Sequence, residues 1–512
     1  MKKKYINLIL IIAAFSFSGC YELDIENPNR QDEDTFWTTE QNLFQGLVAA
    51  YDMLNAGGLY WESIPMIHTG MSDEGTNNAP YEFNALVRFQ QEDLNAFQSI
   101  WFENYAMIGR AYAVIENAGN IATEDAYEYA AEAKFLVALA YFHLTHYYGP
   151  NIAYVTGVQT PADRPERAED GELYELMAEL LAEAIPNLPL ASERSSDEYG
   201  RITKGAAKAL LAKVHLAKGY LSKNTREPDY ASAEILLKEI VNSGEYALLE
   251  SFHYNFDEVI RPAKFNPESL FHVNWQFDSP YGEAGKHQWR FRLFSLGEAR
   301  GAFGDLQATD YSLTEFRKEK TADDEDDPRL EWSLFFEGTS QTYYCEDHDF
   351  WVEVAWDPES TNAFYKYSEQ GRAEGSGACE VDWYDGGTDF IVIRYADVLL
   401  LLAEVLNQNG QTSEAYQYVD LVRERAGMPT LTSVNPGLSQ EAFFEQIKHE
   451  RYVELFSEYV RFYDIKRWGM YGPELADYDP DFKTFTIGQD EYAAIPQSEL
   501  DKNENLVQNP GY

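Results

Sequence analysis

The chain has 512 residues and a formal net charge of −46, because 86 Asp and Glu residues outnumber 40 Lys and Arg residues. Such a charge repels nucleic acid and anionic lipid headgroups, and no basic run beyond the first few residues gathers the cations into a patch. Hydrophobic residues make up 45% of the chain, enough to bury a sizeable core, so the composition excludes a disordered chain and a nucleic-acid-binding protein.

The N-terminus has the pattern of a bacterial lipoprotein signal. Three lysines precede the apolar run Ile6–Phe17, and a Ser-Gly pair stands directly before Cys20. The run is shorter than the roughly 20 residues of a membrane span. We expect residues 1–19 to be a signal peptide and acyl chains on Cys20 to hold the body, 20–512, at a membrane surface. Ordinary secretory cleavage is the alternative, because Phe17 departs from the usual aliphatic residue.

An irregular stretch, Gly57–Phe97, is predicted to lie between helices. It carries Trp61, Tyr81 and the neighbouring pair Asn77 and Asn78. Loops held by a rigid frame are where binding groups concentrate. We therefore expect part of a binding surface here.

Apolar residues then recur at intervals of three and four, which predicts successive amphipathic helices. The first stripe begins at Ala133 and its helix ends at Gly149; the second helix has Thr203 as its N-cap; the third ends at Gly244. Small residues on these stripes allow close helix approach. The pattern resembles tetratricopeptide-type helix pairs, although no strict repeat of about 34 residues is present.

From about Glu250 to Phe390 the pattern changes to short runs broken by Gly, Pro, Asp and Asn. This stretch contains most of the tryptophans, namely Trp275, Trp289, Trp332, Trp351, Trp356 and Trp383. Aromatic residues make up 15% of the whole chain. Two interpretations stay open: a tyrosine-rich core whose hydroxyls reach water, or a surface whose rings stack on flat faces such as those of sugars.

Helical periodicity returns in a second block, where one stripe ends at Gly410 and the next at Gly427. The chain contains no HExxH, GxSxG, P-loop or helix-opening GxGxxG motif. His143 and His146 have a spacing at which they would share a metal, but on an alanine-rich stripe we expect core residues. We predict no metal and no cofactor.

The acidic run and the two remaining cysteines can both be explained without a functional role. The run Asp323–Asp327 lacks the ligand spacing of a calcium loop, so we expect a solvated acidic loop, with calcium as the alternative. Cys345 and Cys379 have no CxxC spacing, and both a disulfide and two buried thiols stay open.

The C-terminal third carries the most specific pattern. Its ordered blocks are Arg394–Glu404, Val422–Gly427, Glu450–Leu455, Arg461–Gly469, and the ending Ile495–Leu500 with Asn509–Tyr512. Together they resemble the SusD/RagB family. Segments of the N-terminal half are similar to that family too, namely Phe36–Trp37, Ser72–Glu74, Glu132–Leu136, Tyr147–Pro150 and Thr203–Ala207.

The resemblance implies a mainly α protein, with tetratricopeptide-like helix pairs forming a scaffold for long irregular loops and few short strands. A helical part, 20–250, would precede a loop-rich insertion and the C-terminal SusD/RagB part, 251–512. It implies a Bacteroidota lipoprotein on the outer-membrane surface that binds oligosaccharide or polysaccharide without catalysis. Its partner would be a SusC-type TonB-dependent outer-membrane transporter, to which it delivers the glycan for uptake.

The charged residues of the motifs are expected to be structural. They alternate in sign, and buried pairs between them would fix how the helices pack. They are Arg394, Asp397, Glu404, Arg451, Glu454, Arg461, Asp464 and Arg467.

The glycan candidates are instead chosen by chemistry, because an aromatic face covers a sugar ring while Asn and Arg bond its hydroxyls. They are Asn77, Asn78, Tyr81, Trp275, Tyr281, Trp289 and Arg292, with Trp351, Trp356 and Trp383 in reserve; core packing is the alternative for each tryptophan.

Two other functions remain as alternatives. A secreted glycoside hydrolase would need an acid and a base about 5 to 10 Å apart, and 86 acidic residues make such pairs common without making any of them informative. A tetratricopeptide scaffold that binds only proteins would have buried tryptophans and no affinity for sugar.

Overall fold

The computed structural model describes residues 36–76, 82–91, 94–221, 226–256, 265–275, 306–345, 350–356, 361–367, 389–471, 475 and 480–512. The predicted signal peptide and Cys20 lie outside this part of the chain. Within it, no helix is both long and apolar enough to cross a membrane.

The N-terminal half is built from helices that pack against one another along the chain. They are α1 (Glu40–Tyr51), α2 (Ser63–Gly70), α3 (Glu82–Val87), α4 (Asn95–Ile121), α5 (Glu124–Tyr148), α6 (Glu172–Ala184), α7 (Lys204–Leu221) and α8 (Arg226–Ser243). Helix α4 packs on α5 and α7 packs on α8, so the predicted paired arrangement is confirmed. The predicted cap is confirmed as well, because the Ala206 backbone N–H donates to the Thr203 hydroxyl over 3.3 Å.

The strands are short and form two-stranded antiparallel pairs. They are β1 (Gly75–Thr76), β2 (Ser269–Val273), β3 (Gln307–Ala308), β4 (Leu334–Phe335), β5 (Ser340–Cys345), β6 (Phe350–Ala355), β7 (Ala363–Phe364) and β8 (Phe390–Arg394). The pairs are β1 with β3, β2 with β8, β4 with β7, and β5 with β6. The expected fold, mainly helical with few short strands, is confirmed.

Helices of the second half follow β3 and β8. They are α9 (Asp310–Phe316), α10 (Leu330–Ser333), α11 (Tyr395–Gln408), α12 (Thr412–Arg425), α13 (Leu431–Val434), α14 (Gln440–Leu455), α15 (Arg461–Trp468) and α16 (Gln497–Leu500). Helix α11 packs on α12, on α14 and, from the first half, on α8. One continuous hydrophobic core therefore includes residues of both halves.

Buried ion pairs join these helices, as the alternating charges of the motifs predict. Arg451 on α14 binds Asp397 on α11 and Asp464 on α15, each over 2.8 Å. Asp397 also accepts from Lys213 on α7 over 2.5 Å. Removing one partner of such a pair leaves an uncompensated buried charge, at a cost of about 3 to 5 kcal/mol. The pairs therefore favour one register of the helices over others.

A second cluster surrounds Arg394, at the end of β8. Its guanidinium binds Glu454 over 2.7 Å, Glu458 over 2.6 Å and Glu268 over 2.8 Å. Lys366 shares Glu458 over 2.9 Å. These contacts confirm a structural role for the charged motif residues.

The prediction of a solvated loop at Asp323–Asp327 is confirmed only in part. Residues 323–325 are exposed, as in a solvated loop. Asp327 is instead buried against Arg329, with their charged atoms 2.6 Å apart. Arg329 also reaches Glu450 and Glu454 on α14, so this end of the run belongs to the buried charge network.

Candidate functional site

Two of the segments that carry glycan candidates meet the described body at the β1–β3 pair. Thr76 is the last described residue before Asn77, and it pairs with Gln307. Gln307 lies two residues after the segment 276–305, which carries Tyr281, Trp289 and Arg292. The ends of both segments are therefore held side by side.

A third segment ends at another strand pair, β2 with β8. Val273 pairs with Phe390, and the Trp275 backbone N–H donates to the Asp389 carboxylate over 3.2 Å. Trp275 directly precedes the segment 276–305, and Asp389 directly follows the segment 368–388. We call the residues that hold these ends, 73–76, 273–275, 307–309 and 389–390, the loop platform.

The turn between α14 and α15 contacts the loop platform at two points. Ser457 donates its backbone N–H to the Glu74 carboxyl over 3.2 Å, and the Tyr459 ring lies 5.2 Å from the Phe390 ring. Both Ser457 and Tyr459 have positive φ angles, 59° and 63°. Such backbone conformations cost on the order of 1 to 3 kcal/mol in residues other than glycine and persist only where the surroundings enforce them.

Two adjacent carboxyl groups at the start of the loop platform have opposite environments. Asp73 accepts two bonds of 2.7 Å from the Arg461 guanidinium. Glu74 is fully buried, and burial, together with the neighbouring Asp73 charge, raises its pKa to about 8. At neutral pH we therefore expect Glu74 to carry a proton. Thr309 joins them to β3, because its N–H donates to the Glu74 carbonyl over 3.0 Å.

Most of the predicted glycan residues lie outside the described residues. They are Asn77, Asn78, Tyr81, Tyr281, Trp289 and Arg292, together with the reserve Trp383. Trp275 is described, and its side chain is 6% exposed and packed into the main core. This burial favours core packing for Trp275 over stacking on a ligand. The side chain of Trp351 also lies outside, and half-buried Trp356 has its ring 5.5 Å from that of Phe335. Cys379 and the side chain of Cys345 are outside as well.

An open cavity of about 320 Å³ lies beside β2, and sequence reasoning missed it. Tyr199 lines it, with its ring 4.2 Å from that of His272 on β2 and 5.9 Å from that of Phe265, which is 53% exposed. The Asn274 amide donates to the Tyr199 carbonyl over 2.6 Å, which ties the cavity to the loop platform. The aromatic residues come from segments about 65 residues apart, so no local pattern brings them together.

The histidine pair on α5 has core contacts. His143 is hydrogen bonded to Tyr60 over 2.9 Å and to Asn104 over 3.0 Å, and burial lowers its pKa to about 3. His146 stacks on His68, with ring centres 5.2 Å apart. Among the described residues no group of three His, Cys, Asp or Glu side chains has the arrangement of a metal site.

Comparison with known proteins places this geometry in a family. A sequence model described as the SusD family matches residues 269–512, and one described as starch-binding associating with outer membrane matches residues 22–216. The chain is 27% identical to SusD-like protein P2 of Formosa agariphila over 100% of both chains. It is 24% identical to a SusD-like protein of Bacteroides ovatus, covering 93% of this chain and 84% of the relative.

Solved structures share the fold. A SusD homolog from Bacteroides thetaiotaomicron superposes with a TM-score of 0.78 at 22% identity, covering 94% of this chain and 99% of the other. A protein named as a laminarin-binding SusD-like protein superposes with a TM-score of 0.71 at 24% identity, covering 93% and 100%. At these identities the likeness establishes the architecture alone.

Proposed function

The chain belongs to the SusD family, and from this membership we propose that it is a non-catalytic surface lipoprotein that binds oligosaccharide or polysaccharide. Its partner would be a SusC-type TonB-dependent transporter of the outer membrane, which takes up the captured glycan. The anchor would be the acyl chains on Cys20. The body would be a single unit, 20–512, with a helical part to residue 250 and a loop-rich part after it.

The observation that carries the proposal is the convergence at the loop platform. The segments 77–81, 276–305 and 368–388 are far apart in sequence, yet their described ends are joined by β1–β3 and β2–β8. Apart from Trp275 and the reserves Trp351 and Trp356, these segments hold all the glycan candidates. Binding residues are often found on segments whose ends are held by a rigid frame. We propose that Asn77, Asn78, Tyr81, Tyr281, Trp289 and Arg292 contribute to one glycan surface there.

The chemistry of the neighbouring groups supports a sugar ligand. Tyr199 and exposed Phe265 offer ring faces in the cavity beside β2, next to the same platform. Flat aromatic faces cover the C–H surface of a pyranose ring. A relative of the same fold is named for binding laminarin, which agrees with a glycan as the ligand class.

Affinity electrophoresis of the soluble body, from residue 21 onward, tests the proposal. Gels containing a panel of polysaccharides are run with the wild type, Trp289→Ala and Phe102→Ala. Phe102 is the matched control, because its ring is 41% exposed on α4 and outside the loop platform. We expect one or two glycans to retard the wild type and the control. Trp289→Ala should bind about 10 to 100 times more weakly, by analogy with base–aromatic stacking.

The same mixtures are assayed for released reducing ends. Product from wild-type protein would overturn the non-catalytic assignment and favour the glycoside hydrolase. Neither retardation nor product would point to a purely protein partner, as in the scaffold alternative. Delivery to a transporter is tested separately, by co-purification of the membrane-anchored protein with a SusC-type barrel from the native outer membrane; its absence would refute that step.

A further inference from the structure

A cavity of about 410 Å³ lies where the end of α5, the helix α15 and the C-terminal segment 488–510 meet. Its size is within the range of small-molecule sites, about 300 to 1,000 Å³. None of its lining residues belongs to the loop platform. We call it the tyrosine cavity.

Six of the lining residues have Phe or Tyr rings. They are Tyr148, Tyr174, Tyr463, Tyr471 and Tyr492, together with Phe142. At one point the backbone lies against a ring, because a Cβ added to Gly149 would meet the Tyr492 ring at 3.2 Å. Tyrosine faces suit the C–H surface of a sugar or another small ring.

One cation of the tyrosine cavity differs from the other buried cations of the core. The Lys466 ammonium lies 4.5 Å from the Tyr492 ring centre and 5.2 Å from that of Phe462, and it donates to the His146 carbonyl. Lys213 and Lys366 have carboxylate partners, whereas Lys466 has none within hydrogen-bond distance among the described residues. Burial lowers its pKa to about 7, and a nearby anion would favour its charged form.

Two polar atoms in the wall are buried without a hydrogen-bond partner among the described residues. They are the Tyr471 hydroxyl and Nε2 of His146. Leaving such a group unsatisfied costs about 1 to 3 kcal/mol, so an acceptor placed there is favoured. Arg167 adds a second cation to the wall, where its Nε holds the Asn151 carbonyl over 2.6 Å.

The charges around the cavity are mixed, because Asp170 acts on the Tyr174 and Tyr492 side chains of the wall alongside the charges that line it. Glu491 is the carboxylate that lines it, and both of its oxygens accept from the Gly488 N–H. Arg467 is already bound to Glu404 and Asp464. Lys466 and Arg167 therefore remain for an anion, alongside the Tyr471 hydroxyl as a donor.

We propose that the tyrosine cavity binds a carboxylate-bearing sugar unit such as a uronic acid. The sugar ring lies against the tyrosine wall, and its carboxylate accepts from Lys466 and the Tyr471 hydroxyl. The ligand class rests on the proposed glycan-binding function, but the site is separate from the loop platform. The proposal makes the protein a receptor for an acidic glycan component despite its negative overall charge, because the cavity supplies a local cation.

A purely structural role for these residues makes different predictions. Lys466 donates to a carbonyl in the last turn of α5, which is a helix-capping contact, so Lys466→Met is expected to destabilise the fold in either case. Tyr471→Phe separates the two roles. It removes a buried hydroxyl that has no hydrogen-bond partner in the part of the chain that the structure describes, so a structural role predicts an unchanged or higher melting temperature and no other effect.

The experiment is calorimetric titration of the full body, from residue 21, with glucuronic acid and with glucose as the neutral control. We expect glucuronic acid to bind at least ten times more tightly than glucose, and Tyr471→Phe and Lys466→Met each to weaken it about tenfold or more. Phe102→Ala should retain the wild-type affinity. If Lys466→Met does not fold, Tyr471→Phe decides the outcome.

Two results would overturn the inference. One is no binding of glucuronic acid to the wild type at millimolar concentration; the other is binding that Tyr471→Phe leaves unchanged. Either result, with polysaccharide retention that still depends on Trp289, would leave the proposed function in place. If the wild type binds glucuronic acid but no polysaccharide retards it, the proposed glycan surface at the loop platform is refuted and the proposed site in the tyrosine cavity is supported.

Discussion

The Glu74 carboxyl gives the sharpest test of the electrostatics beneath the loop platform. We expect Glu74→Gln to become progressively more favourable relative to wild type as the pH rises. The glutamine keeps an oxygen that can accept from the Ser457 N–H, over the 3.2 Å seen for Glu74, and it removes the proton that a buried glutamate must lose at high pH. Asp73 supplies the contrast, because it already has Arg461 as its partner.

The magnitude follows from the pKa of Glu74. Burial, reinforced by the Asp73 charge, raises this pKa from 4.5 to about 8 in the folded protein. The folded state therefore holds a proton that the unfolded state has released, and this favours folding at low pH. The contribution is fully present below 4.5 and is lost as pH rises through about 8. At about 1.4 kcal/mol for each pKa unit, it amounts to roughly 5 kcal/mol.

The assay is urea unfolding of wild type and Glu74→Gln in parallel from pH 5 to pH 9. Other titrating groups are common to both proteins, so the difference in free energy of unfolding isolates Glu74. We expect this difference to shift toward the variant by several kcal/mol across that range. A constant difference would refute the assignment of a protonated Glu74. As the comparison, Asp73→Asn should destabilise by about 3 to 5 kcal/mol at pH 5, because it leaves the Arg461 charge without its anionic partner. This loss should become smaller toward pH 9, because the Asp73 charge no longer helps to raise the pKa of Glu74.

Three other changes have expected outcomes. Arg451→Met leaves buried Asp397 with Lys213 and buried Asp464 with Arg467, so the network lacks one positive charge and the free energy of unfolding should fall by about 3 to 5 kcal/mol in chemical denaturation; a loss below about 1 kcal/mol would contradict the role of the network. Burial lowers the pKa of His68 and of His143 to about 3, so the stability present above pH 6.5 should be lost by about 1.4 kcal/mol per pH unit and per histidine as pH falls from 6.5 toward 3. Replacing both with Gln should flatten that slope, and an unchanged slope would place its origin elsewhere. Cys20→Ser should move the protein from the membrane fraction to the soluble fraction, and retention in membranes would refute the lipid anchor.

Local features of this fold were accessible from the sequence. The stripe from Ala133, the Thr203 cap and the glycine stops at 149, 244, 410 and 427 all depend on residues within one or two helical turns, and the structure has helices in those places. Ordered motifs in the C-terminal third predicted the family, and their alternating charges predicted buried pairs. Periodicity and capping are properties of neighbouring residues, so one sequence suffices to predict them.

The partners of those charges were decided only by tertiary structure. Asp73 and Arg461 are 388 residues apart, and Lys213 and Asp397 are 184 apart. No spacing rule connects such residues, because the folded path of the chain brings them together. Asp327 belongs to an acidic run for which the sequence predicts a solvated loop. It is buried because it binds Arg329, which also binds Glu450 and Glu454 on α14.

The binding surfaces divide in the same way. Residue chemistry led to the prediction that certain segments carry sugar-binding side chains, which stays a prediction. It did not indicate that β1–β3 and β2–β8 hold the ends of those segments together. Trp275 is a residue type suited to stacking on a sugar, yet it lies in the core. Tryptophan serves both purposes, and only its burial in the structure distinguishes them. The tyrosine cavity forms between α5, α15 and the C-terminal segment 488–510. Its lining residues are far apart in sequence, so only the folded chain brings them together.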